Sequence, residues 1–149
     1  MLWHGSEPIG VCAFAAPAAS LTLRTQFFGL KNPRSRVALA GLNRQLWLLQ
    51  RVVIHPTYRG AGVAAAFVRR ACQLCDVDWI ETLTAMGQAN PFFERAGFVR
   101  VGTIRKAEKT TRHGAYAGKG TVSADMLAKS RYSEPVYYVL DNRKRKMAP

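Results

Sequence analysis

The 149-residue chain is long enough for one domain with a buried core, and 48% hydrophobic with 21% charged residues is a globular balance, not a disordered or collagen-like one. No stretch reaches the ~20 apolar residues of a membrane-spanning helix, and the opening MLWHGSEPIG lacks the regions of a signal peptide, so we expect a cytoplasmic protein with no membrane partner. Lys and Arg number 22 against 9 Asp and Glu, a formal charge of +13, which draws the chain toward polyanions without selecting one.

In chain order, LWH and IGVCAF flank the turn residues GSEP and predict a β-hairpin. Residues Ala16 to Leu42 contain Pro17, Gly29, Pro33 and Gly41 and no sustained period, so a long connection is expected there. Such connections commonly form binding surfaces; Arg24, Phe27, Phe28 and Lys31 are its exposed candidates, the first three as substrate-side residues. LWLLQRVVI, from Leu46 to Ile54, is nearly continuously apolar and predicts a central strand buried on both faces. Val63, Ala66, Phe67, Ala71 and Leu74 recur at helical spacing, with Arg69, Arg70 and Gln73 opposite.

WIETLTAM predicts a second core strand, PFFERAG a short helix closed by Gly97, and FVRVGTI an alternating strand. Thr110 to Gly120 is loop-like, and PVYYVL predicts a final strand with proline at its start, where a missing N–H does least harm. With no repeat and no linker, residues 1–149 are expected to form one domain, with 141–149 a basic tail that contains RKRK at Arg143 to Lys146. From Arg100 onward the chain carries 12 basic and 4 acidic residues. That half suits nucleic acid, with Arg100, Arg105, Lys106, Lys109 and Arg112 as phosphate contacts.

Cys12, Cys72 and Cys75 are an odd number, fitting reduced thiols. Cys72 and Cys75 form a C-x-x-C late in a predicted helix, but His4, His55 and His113 stand singly, so no metal site is expected and the cysteines are assigned to a packed helix face.

The strand, turn and helix spanning RVVIHPTYRGAGVAAAF point to phosphate binding: a helix start offers unpaired N–H groups, and Gly60 and Gly62 let an anion approach the backbone. A Walker loop is excluded because Val63-Ala64 follows the second glycine, and a dinucleotide fingerprint needs a third glycine.

Arg59-Gly60-Ala61-Gly62-Val63-Ala64 resembles the R/Q-x-x-G-x-G/A motif of the GNAT superfamily of N-acetyltransferases, and NPFFERAGF, Asn90 to Phe98, resembles its second block. The stretch from about Gly10 to Gly102 also resembles acetyltransferase-type domains associated with ABC-type ATPases or mobile elements. This resemblance implies an α/β (α+β) acyl-CoA N-acyltransferase fold: a mixed, mostly antiparallel sheet with a splayed central parallel pair and flanking helices. It also implies acetyl-CoA as co-substrate. Val52, Val53 and Ile54 would pair with its pantetheine arm, the amides of Arg59, Gly60, Ala61, Gly62, Val63, Ala64 and Ala65 would hold the pyrophosphate, and Asn90 and Phe93 would lie on the cofactor side.

Family members often place a tyrosine proton donor where Phe93 stands, and a phenyl ring cannot donate. They often carry a glutamate on the strand before the glycine loop, where this chain has Gln50 and Arg51. The candidates left for catalysis are Glu81, His55 and Tyr58. Glu81 could serve as base if burial raises its pKa, or could pair with an arginine; His55 could cap the loop, Tyr58 could pack, and Tyr116 also carries a hydroxyl. The family usually has a strand and helices before the hairpin, so the fold is expected to be N-terminally shortened, with a homodimer partner or another subunit completing the acceptor site.

The resulting expectation is transfer of an acetyl group to a primary amine by direct attack in a ternary complex. The alternatives are a nucleic-acid-binding or nucleic-acid-modifying domain with a base or tRNA acceptor or no turnover, and a CoA-sensing regulatory domain.

Overall fold

The computed structural model describes residues 1–31, 35–104 and 134–143. The loop expected at Thr110 to Gly120, Tyr116, His113, the basic residues Arg105, Lys106, Lys109 and Arg112, and the RKRK run beyond Arg143 lie outside the described residues.

The turn at GSEP joins β1 (Leu2–His4) to β2 (Glu7–Ala15), and Gly5 takes the positive φ of 59° that the reversal requires. Two helices follow, α1 (Thr22–Phe27) and α2 (Arg36–Gln45), where the sequence predicts only a connection. They escape a periodicity reading because α1 is six residues long and α2 has no buried residue. The start of α2 is nonetheless marked, since the Ser35 hydroxyl accepts from the Ala38 N–H at 3.1 Å. Thus helical material on this side follows the hairpin.

β3 (Leu46–Ile54) leads through a 3-10 turn (Pro56–Tyr58) into α3 (Val63–Gln73), then β4 (Trp79–Thr84), a second 3-10 turn (Ala85–Gln88), α4 (Phe92–Arg95), β5 (Val99–Thr103) and β6 (Val136–Asp141). The six strands lie in the order β1-β2-β3-β4-β6-β5. Only β3 and β4 are parallel; every other neighbouring pair is antiparallel.

Two layers of helices cover the sheet. Leu49, Ile80, Val136 and Tyr138 face α3 and α4, where they pack with Val68, Cys72, Phe93 and Phe98 into the main core. Each aliphatic side chain so buried contributes ~1.5–3 kcal/mol. On the other face α1 packs over β4, β5 and β6, inserting Arg24 against Glu81, while Phe27 and Phe28 meet the Trp79 ring edge-on.

The apolar face of α3 is rotated from the expected one. Val68, Cys72 and the following Cys75 are buried with Phe67, whereas Leu74 is 72% exposed. Nearly every position from Val63 to Val68 is apolar, so the pattern alone does not fix the face, and the buried cysteines act as its core residues. Burial pushes the Cys72 thiol far up and the Cys12 thiol up to about 11, which suits packing rather than redox chemistry.

The expected basic tail starts too early at residue 141. Asp141 closes β6, and Asn142 is buried, its side-chain amide donating to the carbonyls of Cys72, Cys75 and Val77 at 3.0, 3.2 and 3.0 Å. This polar clamp ties the end of α3 and the chain leading to β4 to the last strand.

Candidate functional site

The parallel ladder between β3 and β4 has only three pairs, Leu46↔Trp79, Trp47↔Ile80 and Leu48↔Glu81. Beyond Glu81, β4 runs to Thr84 and β3 to Ile54 without pairing, so the strands fork. At the base of the fork the Thr82 hydroxyl donates to the Leu49 carbonyl at 2.9 Å, where the next ladder bond would stand. β3 stays paired on its other side, from Ala15↔Leu48 to Gly10↔Ile54.

A bulge accompanies the fork. Ala13 pairs with Arg51 and Phe14 with Leu49, leaving Gln50 as the extra residue. The bulge shifts the alternation, so that both Leu49 and Val52 face the α3 core while Arg51 and Val53 turn the other way. Val53 and its partner Val11 are 41% and 40% exposed, so β3 is not buried on both faces as its composition predicts. An apolar run conceals a bulge because it has no alternation to break; the polar pair Gln50-Arg51 is the signal that could have disclosed it.

Past Ile54 the chain turns sharply into α3. Gly60 and Gly62 have φ of 84° and 77°, which disfavour any side chain, and a Cβ at either would meet only open space. Among the described residues no side chain caps α3. Among the described residues, no turn carbonyl accepts from the amides of Gly60, Ala61, Gly62 or Val63. With Ala64 and Ala65 in the first helical turn, these N–H groups stand at the positive end of α3, and a Cβ at Gly60 or Gly62 would be unobstructed. Arg59 does not share in it as expected. Its N–H donates to the Pro56 carbonyl at 3.1 Å and its Nε to the Ile54 carbonyl at 3.0 Å, so it fixes the turn.

The acetyltransferase (GNAT) domain family model matches residues 4–100. The chain belongs to the GNAT acetyltransferase family. Among solved structures, two chimeras of spermidine N-acetyltransferase SpeG from Vibrio cholerae and hSSAT are similar, at 18% and 16% identity with TM-scores of 0.45 and 0.47. The matches cover 69% and 70% of this chain and 55% of each of those chains, so this chain spans a little over half of their length. No curated protein matches the sequence.

Around the fork of this GNAT domain the remaining candidates separate. Asn90 is exposed, with its N–H bonded to the Met86 carbonyl at 2.9 Å. Phe93, expected on the cofactor side, is instead buried in the core, 5.4 Å from the Phe98 ring and 5.6 Å from the Tyr138 ring. An apolar ring gains more there than at a wet cleft, and the neighbouring hydroxyl is turned elsewhere: Tyr138 donates to Glu94 at 2.8 Å, its pKa pushed up to about 12 by burial and by that carboxylate.

Glu81 is buried on the α1 face, accepting from the Tyr137 hydroxyl at 2.8 Å and lying 3.5 Å from Arg24. Arg24, expected on an exposed surface, is 2% exposed and also donates to the Ala18 carbonyl. Its long stem and charge are drawn inward by the buried carboxylate of Glu81. Burial raises the Glu81 pKa against the opposing effects of Tyr137 and Arg24.

His55 is exposed at the end of β3, its N–H donating to the Ile9 carbonyl at 2.8 Å. Its ring lies 6.1 Å from that of Tyr58, whose hydroxyl is 2.8 Å from Nδ1 of His4. The His4 contact joins β1 to the glycine turn across 54 residues of sequence, which no local pattern announces. Phe27 remains 42% exposed, and Phe28 is half-buried beside it. Among the described residues no group of three His, Cys, Asp or Glu could hold a metal, and no helix is long and apolar enough to cross a membrane.

Proposed function

We propose that this domain transfers an acetyl group from acetyl-CoA to a primary amine by direct attack in a ternary complex. The observation that carries the proposal is the fork beyond Leu48 and Glu81, continuous along β3 with the uncapped, glycine-led start of α3. A forked strand leaves backbone groups for an amide-rich ligand, and an open helix start supplies amides for a diphosphate. Acetyl-CoA presents both chemistries on one molecule.

On this reading Val52, Val53 and Ile54 pair with the pantetheine arm, the amides from Gly60 to Ala65 hold the pyrophosphate, and Asn90 contacts the far arm. An unprotonated amine attacks the thioester carbonyl, forming a C–N bond; the C–S bond breaks, the thiolate leaves, and the proton shed by the attacking nitrogen passes through solvent to the thiolate. Backbone N–H groups at the fork stabilise the oxyanion. Phe93 cannot protonate the thiolate. Glu81 serves as an interior anchor rather than the base, since both carboxylate oxygens already face partners. Phe27 is the substrate-side residue still accessible, and a second subunit could complete the acceptor wall.

The test is a thermal shift with acetyl-CoA. At a hundredfold excess over Kd, binding adds ~2.7 kcal/mol, about 5–10 °C for a chain of this size. Gly62→Glu should abolish the shift by placing an anion among the amides. Gly62→Ala, which carries the same backbone strain without the charge, should retain part of it. Equal shifts in the wild type and Gly62→Glu would overturn the proposal. Thiol release with polyamines, peptides, aminoglycosides and tRNA then selects the acceptor.

The charge of +13 favours one further reading, a domain that binds or modifies nucleic acid. It requires steeply salt-dependent RNA or DNA binding, with tRNA as acceptor or no thiol release. A CoA-sensing role would leave acetyl-CoA binding intact without turnover.

A further inference from the structure

A cavity of about 250 Å³ opens between the segment that follows α1, the helix α2 and the leading ends of β3 and β4. It lies at the closed end of the β3–β4 pair: Leu46 lines it, and three residues at ~3.3 Å each place the base of the fork at Leu49 about 10 Å along the strand, with the open end at Ile54 further on. Its walls are Phe28, Leu30, Ala38, Leu42, Leu46 and Trp79, and its polar groups come from Lys31 and Gln45.

Two features distinguish it from a packing defect. First, Gly41 lines it from within α2, where a glycine costs helix stability relative to alanine. A Cβ at Gly41 would meet nothing within 4 Å, so neither close packing nor an unusual backbone requires the glycine; its missing side chain leaves the chamber open. Second, the aromatic wall is fixed in place. The Trp79 ring meets Phe28 at 5.1 Å and Phe27 at 6.4 Å, both edge-on, and the Arg143 guanidinium lies 4.6 Å from its centroid. Arg143 is held in turn by two bonds to Asp141, at 3.0 and 2.7 Å. A wall immobilised before binding loses little freedom when a ligand arrives.

The lining selects a charge. Among the described residues no Asp or Glu contributes to it, Lys31 supplies an ammonium, and Gln45 supplies an amide donor. The volume corresponds to about eight liquid waters, enough for on the order of ten non-hydrogen atoms. We propose that this chamber is a second binding site, distinct from the fork, for a small amphipathic anion whose apolar body packs against Trp79, Phe28 and Leu42 while its carboxylate meets Lys31 and Gln45. An amine of the same shape would meet like charge at Lys31, so the site discriminates against the cationic acceptors proposed for the fork.

Isothermal titration with octanoate, and with octylamine as the charge-reversed control, tests this on the full chain. Wild type should bind one octanoate saturably and octylamine at least about tenfold more weakly. Gly41→Leu fills the chamber and should abolish octanoate binding while melting no lower than wild type. Lys31→Glu, on the exposed rim, should weaken octanoate at least about tenfold and reverse the preference. Absence of saturable octanoate binding, retention of it in a folded Gly41→Leu, or equal binding of octylamine would each overturn the proposal. Should Gly41→Leu fail to fold, the Lys31→Glu reversal decides alone.

Discussion

Glu81 carries a carboxylate into the interior, where burial opposes its ionisation and Tyr137 and Arg24 favour it. Burial is the largest effect, so the folded pKa lies above the ordinary 4.5. The folded state therefore keeps this proton to a higher pH than the unfolded chain does. The resulting stabilisation is fully present below about pH 4.5 and is lost as pH rises through the folded pKa. Glu81→Gln mimics the neutral acid at every pH, so the stability of wild type relative to this variant should fall as pH rises above about 4.5 in urea denaturation. A relative stability that rises with pH would mean that the Arg24 pair outweighs burial. This residue also marks a limit of sequence reading: a lone acid on a core strand announces a partner, but Arg24 lies 57 positions away in a stretch that reads as exposed loop.

Among the elements, the strand, turn and helix from Leu46 to Gln73 were legible because their determinants are local: Pro56 ends the strand and Gly60 and Gly62 turn the chain. β6 was legible from Pro135 and its apolar run for the same reason. α1 and α2 were not, because contact with the sheet and the Ser35 cap, not internal periodicity, hold them. Asn142 likewise resembles the start of a charged tail, since its value lies in three carbonyls 65 to 70 residues upstream. Removing it takes this donor from all three carbonyls, although that of Cys72 still accepts from the Cys75 N–H, so Asn142→Ala should lose about 1–3 kcal/mol in chemical denaturation. A loss under ~0.5 kcal/mol would show that the clamp is replaceable. Gly87 makes a second test at this scale. A Cβ there would stand 2.8 Å from the Tyr138 ring and 2.9 Å from Val136 Cβ, so Gly87→Ala should destabilise by about 1–3 kcal/mol through overpacking.

At the scale of the whole molecule, two kinds of information meet in the fork. The glycine motif and the Asn90 to Phe98 block identified the family and its sheet, whereas the geometry at Gln50 and Thr82 comes from pairing across strands. The excess of positive charge belongs to this scale as well. A chain of net charge +13 should bind RNA without sequence preference, with log affinity falling linearly in log salt between 50 and 200 mM. Fluorescence anisotropy measures that slope, and a flat response would remove nucleic acid as a partner. The central claim, that amides at the start of α3 receive a diphosphate, is tested most directly by amide NMR of the protein titrated with acetyl-CoA. The account predicts that the largest shifts fall on Gly60, Ala61, Gly62, Val63 and Ala64, with a second group along Val52 to Ile54. Saturable binding that leaves those amides unmoved would contradict it.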